Sequence, residues 1–233
     1  KSLNILFEIA LTPYFINMIV YQILTGLEYM HSQNIIHKDI KAQNVLLSNN
    51  GEIKIIDYGE SIHVTTDEIQ HITSGTPLYM SPEIIQRSKV TKKDCFKCDI
   101  WATAILIVEL YIGMNIKIKY DSPVSLIFGI ETNQLLILHE CLHAILCKVK
   151  KSPYDPINIP TNSNMNEHIK PLIKNIFMTT NEKDILSLVD YLCLCLEPDV
   201  TKRYNATDAL NHPFITRQYN EYKSEQVKEV LRQ

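Results

Sequence analysis

Apolar residues recur at three- and four-residue spacing from Ile16 through Ile19, Val20, Ile23, Leu24, Leu27 and Met30, which predicts an amphipathic helix. Thr12-Pro13 supplies its start, a hydroxyl at the N-cap and proline in the first turn, and the helix is expected to end near His31-Ser32. The pattern then shortens. Val45-Leu46-Leu47 and Ile53-Lys54-Ile55-Ile56 are brief apolar runs joined by Ser48-Asn49-Asn50-Gly51, and Asn-Gly between such runs predicts a β-hairpin. Residues 60–83 are polar and rich in hydroxyls, and read as a long surface segment. From Cys98 to Ile112 apolar positions run nearly all round, broken by Thr103 and Glu109, as in a helix buried at the centre of a fold.

Residues 124–149 suggest another helix, and the Pro- and Asn-rich stretch 151–168 a loop. Thr179-x-x-Glu182 is a capping-box signature opening a helix with Ile185, Leu188, Val189, Leu192 and Leu196 inward. Asn205-x-x-Asp208 begins a last short helix, stopped by His212-Pro213. No repeat or linker interrupts the chain, so the expected fold is mainly α, a helical lobe around a buried central helix with one small hairpin.

Composition narrows the function. With 45% hydrophobic and 21% charged residues over 233, the chain can build a sizeable core. A net charge of −3 gives no basic footprint, so neither nucleic acid nor an anionic membrane is expected as the main partner. No uncharged apolar run nears the ~18 residues of a membrane span, and Glu8 breaks the short apolar run that a secretory signal would need. The 6 cysteines are irregularly spaced and do not read as a disulfide framework, which favours a reducing compartment, cytoplasm or nucleus. The 6 glycines never cluster into a phosphate-cradling loop, which excludes a dinucleotide fingerprint and a P-loop.

The chemistry gathers in three places. His37-Lys38-Asp39-Ile40-Lys41-Ala42-Gln43-Asn44 lies between the first helix and the hairpin, Asp57-Tyr58-Gly59 just past the second strand, and Gly75-Thr76-Pro77-Leu78-Tyr79-Met80-Ser81-Pro82-Glu83 at the end of the polar segment. An Asp, a Lys and an Asn within six residues, beside a strand-end Asp, suit phosphoryl transfer. A carboxylate accepts the hydroxyl proton, an ammonium neutralises phosphate charge, and carboxylate and amide oxygens hold Mg²⁺, which takes few protein ligands.

These three motifs, in this order, resemble those of the C-terminal lobe of a eukaryotic-type protein kinase, over residues 12–215. The resemblance implies Asp39 as catalytic base, Lys41 on the transferring phosphate of ATP, and Asn44 and Asp57 on Mg²⁺. It places Leu46 under the adenine, gives His37 a packing and hydrogen-bonding role, makes Asp99 of Asp99-Ile100-Trp101 a brace for the catalytic loop, and pairs Arg203 with Glu83. Lys41 two residues after Asp39, with Thr76 after Gly75, is similar to the Ser/Thr-specific pattern, so the implied partner is a protein carrying a serine or threonine acceptor. Residues 1–217 would then be the catalytic-domain portion, with an extended 113–180 region, and 218–233 a charged C-terminal helix or tail. Lys1 is the only lysine before Lys38, so the strand lysine of the N-terminal lobe is absent from these residues. That lobe is expected in cis, and the fragment alone is expected to be inactive or nearly so.

Departures from the pattern are informative. Lys38 replaces the usual Arg, keeping the charge but losing the bidentate fork that grips a loop phosphate. Ile72 stands where a hydroxyl is usual, with Thr73 and Ser74 beside it, so activation by loop phosphorylation is expected to be weakened or shifted to Thr73. Tyr58 replaces the middle Phe next to Gly59, and Met80 departs from the cyclin-dependent and mitogen-activated group, leaving the subfamily open. Two other readings compete. One is a pseudokinase or scaffold that binds partners without catalysis. The other is a zinc peptidase built on His139-Glu140-x-x-His143, a literal H-E-x-x-H. Chance yields about 0.02 such matches in this composition, against about 0.002 for H-x-D-x-K-x-x-N, and no third zinc ligand follows at a suitable spacing.

Overall fold

The computed structural model describes residues 2–3, 13–65, 74–76, 79–85, 87–119 and 182–219. Helix α1 (Pro13–Ser32) begins at the proline and ends where the sequence predicted. All seven of its predicted apolar positions are buried. Helix α4 (Lys97–Lys119) lies against it and is enclosed on every side from Ile100 to Val108, with Trp101 fully covered. A helix whose whole circumference is apolar has no face to give to water, and here other helices surround it.

The hairpin joins β2 (Val45–Leu47) to β3 (Ile53–Ile55), antiparallel, with Val45 opposite Ile55 and Leu47 opposite Ile53. Its turn is closed by Ser48, whose Oγ accepts the N–H groups of Asn50 (3.2 Å) and Glu52 (3.0 Å), while Gly51 takes the positive φ of 81°. Gln22 of α1 fixes the hairpin to the helix. Its Oε1 accepts the Ile53 N–H at 2.9 Å and its Nε2 donates to the Gly51 carbonyl at 3.1 Å.

A second two-stranded sheet was not predicted. Strand β1 (Ile35–Ile36) pairs antiparallel with β4 (Ile62–His63), so the segment expected to be surface from residue 60 opens with a strand. Tyr79, Ser81 and Glu83 are also buried, against the expectation for that segment. Two-residue strands carry too little periodicity to be read. They persist because Ile36, Val64, Ile84, Cys95 and Cys98 form a second, smaller apolar cluster beneath them. Short helices α2 (Pro82–Ile85) and α3 (Lys92–Cys95) flank that cluster.

Helix α5 (Glu182–Cys195) buries Leu188 and Leu192, with Leu196 just beyond it, and Thr179 of its predicted capping box lies outside the described residues. Burial pushes the thiols of Cys95 and Cys195 up to about 12 and that of Cys98 well above its ordinary value, so these are inert core groups. Helix α6 (Ala206–Asn211) has the predicted capping box, Asn205 Oδ1 accepting the Asp208 N–H at 2.9 Å and Asp208 Oδ2 accepting the Asn205 N–H at 3.3 Å. His212-Pro213 ends α6, but the proline opens one more helix, α7 (Pro213–Tyr219), as its fixed φ allows. Asn205→Ala should cost about 1 kcal/mol, read as a lower urea midpoint with an unchanged slope. Thr12, Thr73, His139, Glu140, His143, residues 124–149 expected as a helix, residues 151–168 expected as a loop and residues 220–233 of the expected 218–233 tail lie outside the described residues. Among the described residues, no helix is long and apolar enough to cross a membrane.

Candidate active site

The loop from His37 to Asn44 leaves β1 and returns through a 3₁₀ turn (Ala42–Asn44) into β2. Its shape is set from below by Asp99, fully buried in the first turn of α4. Asp99 Oδ2 accepts the His37 N–H and Oδ1 the Lys38 N–H, both at 2.9 Å, and Oδ2 also meets His31 Nε2 at 2.9 Å. Two adjacent backbone donors gripped by one carboxylate hold Lys38 at φ 68°, a left-handed conformation that lysine adopts only under such constraint. His37 is buried. Its Nδ1 accepts the Asp39 N–H at 3.3 Å, which makes Nε2 the protonated nitrogen that donates to the Ile56 carbonyl at 3.0 Å.

Asp39 is the hub. Its Oδ2 accepts from Lys41 Nζ at 2.6 Å and from Asn44 Nδ2 at 2.9 Å. Its Oδ1 accepts from the Thr76 hydroxyl at 2.6 Å and the Thr76 N–H at 3.1 Å. Lys41 Nζ also donates to Thr76 Oγ1 at 2.9 Å, so carboxylate, ammonium and hydroxyl form a closed triangle. Burial alone would raise the Asp39 pKa, but the hydrogen bonds from Lys41 and Thr76 and the Lys41 charge outweigh it and hold the carboxyl below its ordinary value. The group is ionised at neutral pH and restrained in a single orientation.

The hairpin brings the second carboxylate to this loop. The Asn44 carbonyl accepts the Ile56 N–H at 2.9 Å, and Val45 pairs with Ile55, so Asp57 emerges beside Asn44. Asp57 takes a left-handed conformation (φ 65°) and accepts the Gly59 N–H at 3.4 Å. Both amide hydrogens of Asn44 are used on Asp39, one on its carbonyl and one on Oδ2, each at 2.9 Å, which leaves Asn44 Oδ1 as the atom able to bind a cation. One amide oxygen and one carboxylate fit Mg²⁺, a hard ion that keeps much of its water. Among the described residues, no cluster of three or more His, Cys, Asp or Glu could hold a metal by itself.

Leu46 is half-buried on the face of β2 opposite Val45 and Leu47, where Ser2 bridges to it. Tyr58 is 53% exposed, its ring edge-on to His37 at 5.2 Å and its hydroxyl donating to the Ile55 carbonyl at 3.2 Å. At the far end of the segment, Glu83 and Arg203 form a buried bidentate pair, Nη1–Oε1 2.7 Å and Nη2–Oε2 2.8 Å. The guanidinium also lies over the Trp101 ring at 4.9 Å. Thus, of the residues singled out in the sequence, Asp39, Lys41, Asn44 and Thr76 meet directly, with Asp57 beside them. His37, Lys38 and Asp99 support them, Glu83 and Arg203 pair separately, and Thr73 is not described.

The profile of the protein kinase domain matches residues 2–215. The chain belongs to the protein kinase domain family. It is 31% identical over 227 residues to the serine/threonine-protein kinase dst4 of Dictyostelium discoideum, covering 97% of this chain and 38% of that protein. It is 32% identical over 209 residues to the MAP kinase kinase kinase wis4 of Schizosaccharomyces pombe, covering 84% of this chain and 12% of that protein. Likeness to the serine/threonine-protein kinase NLK2 of Xenopus laevis is 31% over 206 residues, covering 86% of this chain and 42% of that protein. The chain therefore spans well under half the length of these curated relatives.

Sequence reasoning missed several residues that shape this kinase domain. Lys97, buried, pairs with Asp94 at 2.8 Å and donates to the carbonyls of Val200 (2.9 Å) and Thr201 (3.2 Å), fixing the loop that carries Arg203. Tyr79 donates its hydroxyl to Glu109, and burial raises the pKa of both groups, although the tyrosine hydrogen bond pulls that of Glu109 back down. The only signal for this pair was an acidic residue, Glu109, in the apolar middle of α4, since a buried carboxyl needs a donor. Lys38 Nζ donates to Ser74 Oγ at 2.7 Å, a contact invisible in the motif.

Proposed function

We propose that the protein carrying this domain transfers the γ-phosphoryl group of ATP to serine and threonine hydroxyls of proteins. The observation that supports this most directly is the Asp39–Lys41–Thr76 triangle, an ionised carboxylate, an ammonium and a hydroxyl converging on one point. Asp39, held below its ordinary pKa, accepts the proton of the substrate hydroxyl as that oxygen bonds to phosphorus and the bond to the departing ADP oxygen breaks. Lys41 presents positive charge to the transferred oxygens, which is worth most where charge develops. Thr76 and Asn44 hold the carboxylate in orientation. Asn44 Oδ1 and Asp57 would hold Mg²⁺, which when bound screens the phosphate charge. Leu46 offers an apolar floor for the adenine, His37, Lys38 and Asp99 keep the loop in shape, and Tyr58-Gly59 turns the chain after Asp57.

The remaining contacts to the nucleotide are assigned to an N-terminal lobe in cis, with residues 1–217 forming the C-lobe portion. The identity of the relatives as serine/threonine-protein kinases supports the acceptor class. The test uses the full-length protein with Mg·ATP labelled at the γ-phosphate, a mixed protein substrate and phosphoamino-acid analysis. Phosphoserine or phosphothreonine that disappears on chelation is the expected result. No transfer, or transfer to tyrosine alone, would overturn the proposal, and no transfer would favour a scaffold. Residues 1–233 expressed alone should transfer phosphate far more slowly than the full-length protein, because an uncovered site admits water that weakens its fixed charges.

A further inference from the structure

Lys38 is held at three points, and two of them involve the segment opposite. Its N–H is gripped by Asp99 Oδ1 at 2.9 Å. Its carbonyl lies against Gly75, where an added Cβ would come within 2.8 Å of the oxygen, and Gly75 itself has φ 135°, so only glycine fits this approach. Its ammonium donates to the half-buried Ser74 hydroxyl at 2.7 Å. The next residue, Thr76, gives both its N–H and its hydroxyl to Asp39 Oδ1. Three successive residues, 74 to 76, therefore dock on two successive residues, 38 and 39, and Ser74 is the side-chain anchor at the end where the segment arrives.

The chemistry of the anchor decides what it responds to. A guanidinium fork is matched to an anion with two oxygens, whereas an ammonium is a compact point charge whose N–H groups are met by single oxygens, a lone hydroxyl among them. The acceptor is a serine hydroxyl, a neutral group of the segment's own, adjacent to the glycine that makes the close approach possible. We propose that Lys38 and Ser74 form a latch that seats residues 74–76 against the catalytic loop without any phosphate between them, so that Thr76 keeps Asp39 in its working orientation in the unphosphorylated protein. Both are positioning residues. They touch no reacting atom and act through Thr76 and Asp39. The contact itself stands apart from the kinase reading, but its consequence for rate rests on that reading.

The experiment takes full-length protein stripped of phosphate by a broad-specificity phosphatase, with removal checked by mass spectrometry. Hydrogen exchange is followed in the peptide covering residues 74–80, and kcat and KM for ATP are measured on the same samples. The stripped wild type should keep at least about half of its kcat. Ser74→Ala and Lys38→Met should each speed exchange in that peptide and lower kcat by roughly tenfold, with KM within about twofold. The double variant should be no worse than either single one, because the two side chains make one contact. Ser74→Thr, which keeps the hydroxyl, should restore both readouts. Unchanged exchange in both single variants, additive losses in the double variant, or loss of wild-type kcat on phosphatase treatment would each overturn the latch. Melting curves separate these outcomes from misfolding, and Ser74→Thr supplies the comparison where Lys38→Met fails to fold. If the untreated wild type transfers no phosphate at all, the kinase reading fails while the exchange comparison still decides the latch.

Discussion

Asp39→Asn should lower kcat for phosphoryl transfer by about 10²–10⁴-fold while the protein stays folded. Asparagine has nearly the shape of aspartate and can keep a hydrogen bond to Thr76 or Asn44, but its amide cannot take the proton of an attacking hydroxyl. Asp57 is unchanged and Asn44 keeps its bond to the residue 39 carbonyl, so the KM for ATP should change far less than kcat. A variant within tenfold of wild type would sink the assignment of Asp39 as base. The same substitution has a pH signature. The folded Asp39 carboxyl titrates below its ordinary value of 3.8, so its contribution to stability is complete above that value and is lost as pH falls through the lowered one. Denaturant midpoints of wild type and Asp39→Asn should therefore differ most near neutral pH and converge in acid, as the carboxylate that separates them becomes protonated. Curves that stay parallel down to pH 2 would show that the ion pair with Lys41 contributes nothing.

What could be read without coordinates follows from how far each signal extends along the chain. Helix α1 announced itself because its seven apolar residues repeat over about four turns, and α4 because its apolar positions run nearly all round despite Thr103 and Glu109. The chemical groups were legible for a different reason. Asp39, Lys41 and Asn44 are crowded into six residues, so their meeting is set by one loop and not by long-range folding. Thr76 was marked as part of a motif, yet its two bonds to Asp39 depend on a segment returning from 37 residues away. Strands β1 and β4 escaped notice because two residues hold no period, and their pairing is imposed by the cluster around Ile36 and Val64. Of the partners of Lys97, Asp94 lies three residues away, but the two that make it fix a distant loop are backbone carbonyls at 200 and 201, and carbonyls leave no mark in a sequence.

Removing one member of the Glu83–Arg203 pair should destabilise the domain by about 3–5 kcal/mol. Arg203 is 1% exposed and Glu83 7%, so neither group can turn to water when its partner is lost. The arginine holds more than the carboxylate. Its Nε donates to the Glu197 carbonyl at 2.8 Å and its Nη1 to the Lys97 carbonyl at 3.3 Å, so the guanidinium joins α2, the start of α4 and the 197–203 loop. Arg203→Ala and Glu83→Ala should each lower the melting temperature by on the order of 10 °C. Arg203→Lys should recover little of this, because a point charge makes neither the two parallel bonds nor the stack on Trp101. The double variant Arg203→Met with Glu83→Leu should be more stable than either alanine variant, since it leaves no unpaired charge in the core. Because Glu83 lies in α2, which begins six residues after Thr76 of the segment that docks on Asp39, the alanine variants should also lose kcat at temperatures where they remain folded. An Arg203→Ala protein that melts within about 2 °C of wild type would mean that water reaches this pair and that Trp101, not the ion pair, secures the end of the segment.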